Sequence, residues 1–383
     1  MQILRNGDGL FDVETYETEL WWQDAIGAPQ AWNYLDLCQD IKVGIVDAGF
    51  YEEHEDLEGR ITYISTPEYN TADDHGTHVA GIIGAQHNGI GIQGIAPHAE
   101  LYCADVWPDY TVESYHTVTE LLAVINAMAQ EDVRVVNHSW GALVPCRSTY
   151  LMNRYGLNPF ARFTDGDGYE TYMQQRLDEE LVPTAEACLV MMSQLIHSGY
   201  EDLIMVQAAG NGYDMITKGC SAYLNGFFSR IDRQLYEDLD PRLLDTLTQW
   251  GITYEQIDDR IMIVGAVEED WDSQGNYYLT EFSSFGPQVD ICAPGGGILS
   301  CVDPEWGGYE YFDGTSMAAP MVTGSVAYIW SMDPTLTAGE VKALLLENTE
   351  TNAVGVGDDE GTLYPMLNVG RAVRYILENR NIG

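Results

Sequence analysis

The 383-residue chain is 45% hydrophobic, enough for one large core in one or two domains. Its 60 Asp and Glu face only 17 Lys and Arg, a formal net charge of −43. Such a surface argues against nucleic acid and anionic membrane as partners, because phosphate binding needs clustered cations. It favours solubility and function at high salt or with divalent cations. No apolar run approaches the ~20 residues of a membrane span. The N-terminus lacks a basic start, an apolar core and a small-residue cleavage site, so it is not read as a signal peptide. Either the protein stays in the cytosol, or the chain is a mature form whose leader has been removed. The seven cysteines are odd in number and contain no CxxC, so neither a disulfide framework nor a zinc site is expected. Cys103 and Cys292 lie in apolar runs and are expected to be buried thiols.

Along the chain, "IKVGIVD" at 41–47 reads as the first buried strand, followed by a helix at 75–86. "ELYCADV" at 100–106 is the next strand, then a helix over 112–130 and a strand "VRVVNHS" at 133–139. Residues 142–200 are long, acidic and partly helical, and are expected to hang from the core as an insertion. "LIMVQAA" at 203–209 resumes the strands. A second polar insertion is expected at 213–258, helical around 231–250. "IMIVGAV" at 261–267 follows, then helices at 316–331, 337–348 and 368–379. Strands alternating with helices predict an α/β three-layer sandwich with a mostly parallel central sheet.

In such a sheet, reactive groups gather at the carboxyl ends of the strands. Asp47 ends the first strand, and a buried carboxylate needs a partner. "HGTHVAG" starts at His75. "AAGNG" carries Asn211 between glycines. "FDGTSMAAP" places Ser316 at a helix start. Each alone has a plainer reading: a turn or cap Asp, a core His, an Asn serving a positive-φ turn, an N-cap Ser. His75 and His78 could also form a metal pair on one helix face. That reading needs a further ligand at helix spacing, as in HExxH, and Gly76 and Thr77 supply none.

Taken in order, "DxG…HGTHVAG…AAGN…GTSMAAP" resembles the subtilisin-like serine proteases. The resemblance runs from "WWQDAIGAPQAWNYL" through "VVNHSWGA" and "SSFGPQVDICAPGGGI" to "YPMLNVGRAV". It implies a subtilisin-like fold and an endopeptidase acting through an acyl-enzyme. Ser316 would be the nucleophile, His75 the general base and Asp47 its orienting carboxylate, with the side-chain amide of Asn211 in the oxyanion hole. Ser139, Trp140 and Gly141 would pair with substrate backbone and form one wall of the specificity pocket. Ala208, Ala209 and Gly210 would form the other. The plainer reading of Trp140 is a core aromatic. The resemblance also implies a structural calcium ion held by the side chains of Glu17, Asp56 and Asn88 and the backbone carbonyls of Gln86, Ile90 and Ile92, with an ion-free Gly-rich turn as the alternative. No organic cofactor is expected. The expected partner is a protein or peptide substrate, and the expected state a monomer. Residues 1–16 would be an N-terminal extension or propeptide remnant before a peptidase domain at 17–383.

The chain departs from the family pattern in three places. Ala48 follows Asp47 where the family usually has Ser or Thr, which removes a hydroxyl and is expected to reduce activity without abolishing it. "WPDYTVESY" lacks the usual glycines of the second substrate-flanking strand, and Pro108 removes a ladder donor. The insertion at 142–200 falls where the far side of the specificity pocket is normally built. The alternative function is a catalytically weak pseudoprotease that binds peptides or regulates a partner. The family tendency is extracellular; a cytoplasmic location follows if Met1 is the native start.

Overall fold

The computed structural model describes residues 20–65, 74–105, 118–140, 182–200, 202–211, 228–355 and 361–380. The expected 1–16 extension, Glu17, Pro108 and Gly141 lie outside these residues.

Two short helices, α1 (Trp21–Ala25) and α2 (Ala28–Trp32), open the described chain. Strand β1 (Lys42–Asp47) leads to β2 (Ile61–Ser65), helix α3 (His75–Gly84) and β3 (Glu100–Asp105). Helix α4 (Val118–Gln130), β4 (Val135–His138), α5 (Val182–His197) and β5 (Ile204–Ala208) follow. Three helices come next: α6 (Arg233–Glu237), α7 (Pro241–Trp250) and α8 (Tyr254–Asp258). They precede β6 (Ile261–Trp271), β7 (Tyr277–Leu279) and β8 (Ile291–Pro294). A hairpin of β9 (Ile298–Cys301) and β10 (Tyr309–Phe312) leads into α9 (Thr315–Met332). Helix α10 (Ala338–Glu347), β11 (Asn352–Val354), β12 (Leu363–Pro365) and α11 (Val369–Asn379) close the fold.

The sheet runs β12-β11-β7-β6-β5-β4-β1-β3-β2, with β8 also on β6. From β2 to β6 every pairing is parallel. The chain leaves β1 toward β3 on one side and later fills β4 on the other. The strand order therefore reverses at β1, which opens a crevice at its carboxyl end. The predicted α/β class and mostly parallel sheet hold.

One expectation differs. The 142–200 segment supplies α5 at its end, and this helix is core: Ala185, Cys188, Leu189, Met191, Met192, Leu195 and Ile196 are buried. Parallel β4 and β5 need a crossover connection, usually helical, and α5 is the helix between them among the described residues. Cys103 and Cys292 are buried free thiols, as expected.

Burial also sets a pH dependence. It drives His78 and His138 down to about 3 and His98 to about 4. The unfolded chain binds these protons near pH 6.5, well before the fold does. Their contribution to stability is therefore complete above pH 6.5 and is lost as pH falls toward 4. Among the described residues, neither His138 ring nitrogen has a hydrogen-bond partner. In His138→Leu, the slope of unfolding free energy against pH in that window should fall by about 1.4 kcal/mol per pH unit. Urea titrations of parent and variant at matched pH measure it, and the comparison cancels the many surface carboxylates.

Candidate active site

The start of α3 is docked onto the loop that follows β1. Gly76 N–H donates to Ala48 O at 2.7 Å and Thr77 N–H to Gly49 O at 2.9 Å. These carbonyls satisfy N–H groups that a helix start leaves without intrahelical partners. The approach requires glycine: a Cβ at Gly76 would lie 2.8 Å from Gly49 O and 2.9 Å from Ala48 O. The docking brings His75 to Asp47, with Nδ1 2.6 Å from Oδ1. Ala48 N–H donates to the same oxygen at 2.7 Å. Asp47 is buried, and the imidazole is about a quarter exposed. With Nδ1–H committed to the carboxylate, the neutral ring presents Nε2 as an acceptor. The second carboxylate oxygen, Oδ2, is buried with no hydrogen-bond partner among the described residues. Ala48 carries no hydroxyl that could reach it.

His78 does a different job. Its Nε2 faces Ile298 O at 3.0 Å and Glu310 O at 3.1 Å, and its ring stacks on Phe312 with centroids 4.3 Å apart. Held neutral by burial, it pins α3 to the β9–β10 hairpin. The two histidines turn to different partners and do not form a ligand pair.

Ser316 is the second residue of α9, which packs against α3 and against β4, β5 and β6. All other residues of this helix are buried. Ser316 Oγ donates to Ser139 O at 2.6 Å, and Ser139 Oγ donates to Ser316 O at 2.8 Å. Ser139 stands just beyond β4, so the helix start is clasped to the end of that strand.

Asn211 stands three residues beyond β5. Its Oδ1 accepts from Thr315 N at 2.9 Å and from Thr315 Oγ1 at 2.8 Å. Thr315 also receives Gly210 N–H, at 3.1 Å. Gly210 has φ +102°, in the left-handed region that favours glycine. Fixing Oδ1 aims Nδ2 across Gly314. A Cβ placed on Gly314 would lie 3.2 Å from Asn211 Nδ2 and 3.4 Å from Ser316 N. The absent side chain leaves a space faced by two N–H donors beside the Ser316 hydroxyl.

Trp140 is partly exposed, and its indole N–H donates to Val46 O at 2.7 Å. It is thus anchored at the end of β1 rather than sunk in the core. Ala208 and Ala209 are buried, and Gly210 is half-buried.

The residues expected to hold calcium come together as a hydrogen-bonded hub. Asp56 is fully buried. Its Oδ1 accepts from Asn88 Nδ2 at 3.1 Å, and its Oδ2 from Ile92 N at 2.9 Å and Tyr309 Oη at 2.7 Å. Asn88 Oδ1 accepts from Ile90 N at 3.1 Å, and Gln86, expected to offer its backbone carbonyl, donates its side-chain amide to Glu58 O. Calcium needs six to eight converging oxygens. Here the side-chain oxygens of Asp56 and Asn88 accept from protein donors, and Glu17 lies outside the described residues. His54 and Cys301 neighbour Asp56, and both His54 nitrogens are engaged, with Gly308 O and Asp56 N.

Sequence reasoning missed Asn137, Thr315, Pro320 and Tyr309. The Pro320 signal was readable, since a proline four residues after Ser316 removes an intrahelical donor.

A family model for the subtilase family matches residues 39–363. The chain belongs to the subtilase family of serine peptidases, hydrolases that act on peptide bonds. Subtilisin DY of Bacillus licheniformis is 28% identical across 82% of this chain and 84% of its own length. Fervidolysin of Fervidobacterium pennivorans is 26% identical across 94% of this chain, which spans only 44% of that relative. The crystal structure of a cold-adapted subtilisin-like serine proteinase shares the fold, with a TM-score of 0.51 at 21% identity over 87% of this chain and 90% of that one. Among the described residues, no helix is long and apolar enough to cross a membrane.

Proposed function

We propose that the chain is a serine endopeptidase in which Asp47, His75 and Ser316 form the triad and Asn211 the oxyanion hole. The observation that carries this reading is the 2.6 Å bond from His75 Nδ1 to buried Asp47, which fixes the tautomer in which Nε2 is the accepting nitrogen. In the proposed reaction, the Ser316 hydroxyl leaves Ser139 O and turns to His75. Oγ attacks the scissile carbonyl carbon as its proton passes to Nε2. The carbonyl oxygen takes up negative charge in the space beside Gly314, where Asn211 Nδ2 and Ser316 N–H receive it and the α9 dipole favours it. The imidazolium, held by Asp47, gives its proton to the leaving amine. Water then repeats the steps on the acyl-enzyme. Substrate would lie as an added strand along Ser139 and Trp140, with Ala208–Gly210 opposite.

Covalent labelling tests the assignment. A fluorophosphonate should attach to Ser316, identified by peptide mass; folded protein that takes no label would overturn it. Asn211→Leu should lower kcat by about 10²–10³ with KM little changed, the size of losing one oxyanion donor. A weak, peptide-binding pseudoprotease is the second reading. It draws on the unpartnered Asp47 Oδ2 and on the Ser316 hydroxyl bonded to Ser139 O. Saturable peptide binding without labelling would favour it.

A further inference from the structure

Pro320 stands four residues after Ser316 inside α9. In an α-helix the carbonyl of Ser316 would accept from the N–H of residue 320, and proline has none. That acceptor receives the Ser139 hydroxyl instead, at 2.8 Å. The hydroxyl is itself oriented. Asn137 Nδ2 donates to Ser139 Oγ at 2.8 Å, so the Ser139 proton points onward to Ser316. Thr323 Oγ1, two turns along α9, donates to Asn137 Oδ1 at 2.9 Å and fixes that amide. Asn137, Ser139 and Thr323 are each no more than 2% exposed. A buried polar chain so fully satisfied holds one geometry.

We propose that Ser139 is a positioning residue for the nucleophile. Its side-chain hydroxyl, oriented by Asn137 and Thr323, replaces the helix donor that Pro320 removes and so sets where the Ser316 backbone stands against Asn211 and His75. This role is separate from pairing with substrate, which uses the Ser139 backbone. It rests on the triad reading above. A misplacement of about 1 Å in such a site can cost ~10² in rate.

The experiment is a double-mutant cycle with Ser139→Ala and Pro320→Ala, read as kcat, KM and the second-order rate of fluorophosphonate labelling. Ser139→Ala should lower kcat and labelling roughly tenfold, with KM within about twofold because the backbone is unchanged. Pro320→Ala restores an N–H to Ser316 O. The double variant should therefore exceed the product of the two single effects by at least about fivefold. Effects that simply multiply, or a Ser139→Ala kcat within twofold of the parent, overturn the proposal. Should Ser139→Ala fail to fold, Ser139→Cys keeps the shape with a weaker donor and is expected to fall between parent and loss; parental kcat there overturns the proposal as well. A parent that takes no label at Ser316 removes the triad reading and this inference together, whereas a labelled parent with no coupling removes this inference alone.

Discussion

Ser316→Ala is expected to lower kcat toward peptide substrates by about 10⁶ and to abolish fluorophosphonate labelling, with peptide binding preserved. On the proposed triad, alanine removes the oxygen that would form the acyl-enzyme. The helix start keeps its clasp to β4, because the Ser139 hydroxyl bonds the Ser316 carbonyl and not its side chain. The N–H groups facing the space beside Gly314 also remain, so some turnover above the uncatalysed rate should persist. His75→Ala should cost about as much, and adding it to Ser316→Ala little more, because the groups act as one unit. Active-site titration separates this outcome from partial misfolding. A Ser316→Ala protein retaining a tenth of parental kcat would refute the nucleophile assignment.

The second large effect concerns stability. Lys342 on α10 is 7% exposed, one of three lysines in the chain. Its Nζ lies 3.0 Å from Asp290 Oδ1 and donates to Asp258 O at 3.0 Å and Ile261 O at 2.8 Å. Asp290 in turn accepts from Ile263 N through Oδ2. One ammonium thereby ties α10 to the end of α8, the start of β6 and the turn before β8. Lys342→Met fills the volume but strands the Asp290 carboxylate and two carbonyls. Breaking a buried pair from one side costs about 3–5 kcal/mol. Urea unfolding should show a loss of that size. The double variant Lys342→Met with Asp290→Leu should recover much of it, because no uncompensated charge remains. A single variant within 1 kcal/mol of the parent would show the pair to be dispensable.

Much of the fold was legible because β1, β4, β5 and β6 carry buried runs rich in Val and Ile and β3 a buried Leu101–Ala104, the mark of strands covered on both faces. Their ends were displaced by one or two residues, except β6, which runs on through exposed Glu268–Trp271 where no apolar pattern persists. Helix α5 was hidden because it ends an acidic stretch and its core face shows only once β4 and β5 are seen to be neighbours. The β9–β10 hairpin was not anticipated: each strand has four residues, and "DPEWGG" between them reads as a loop.

At the site, the motifs around His75 and Ser316 were readable, and the structure brings Asp47 to His75 and Asn211 to the helix start that carries Ser316. The supporting contacts were not. Asn137 is an interior strand residue by pattern, and nothing local in the sequence says that it meets Thr323, 186 positions away. Tyr309 reaches Asp56 across 253 positions, so nothing local in the sequence shows the hydroxyl that bonds this carboxylate.

The placement of Ser316 on α9 has a consequence for how activity can be lost. That helix carries no charged residue, touches most of the parallel sheet and leaves only Ser316, the proposed nucleophile, partly exposed. Loosening it means opening the centre of the molecule, and opening the centre carries the serine away from its partners. Catalytic competence and global integrity thus share one structural element. Heat inactivation should follow the same time course as loss of the folded core, and a simple peptide assay becomes a clock for unfolding.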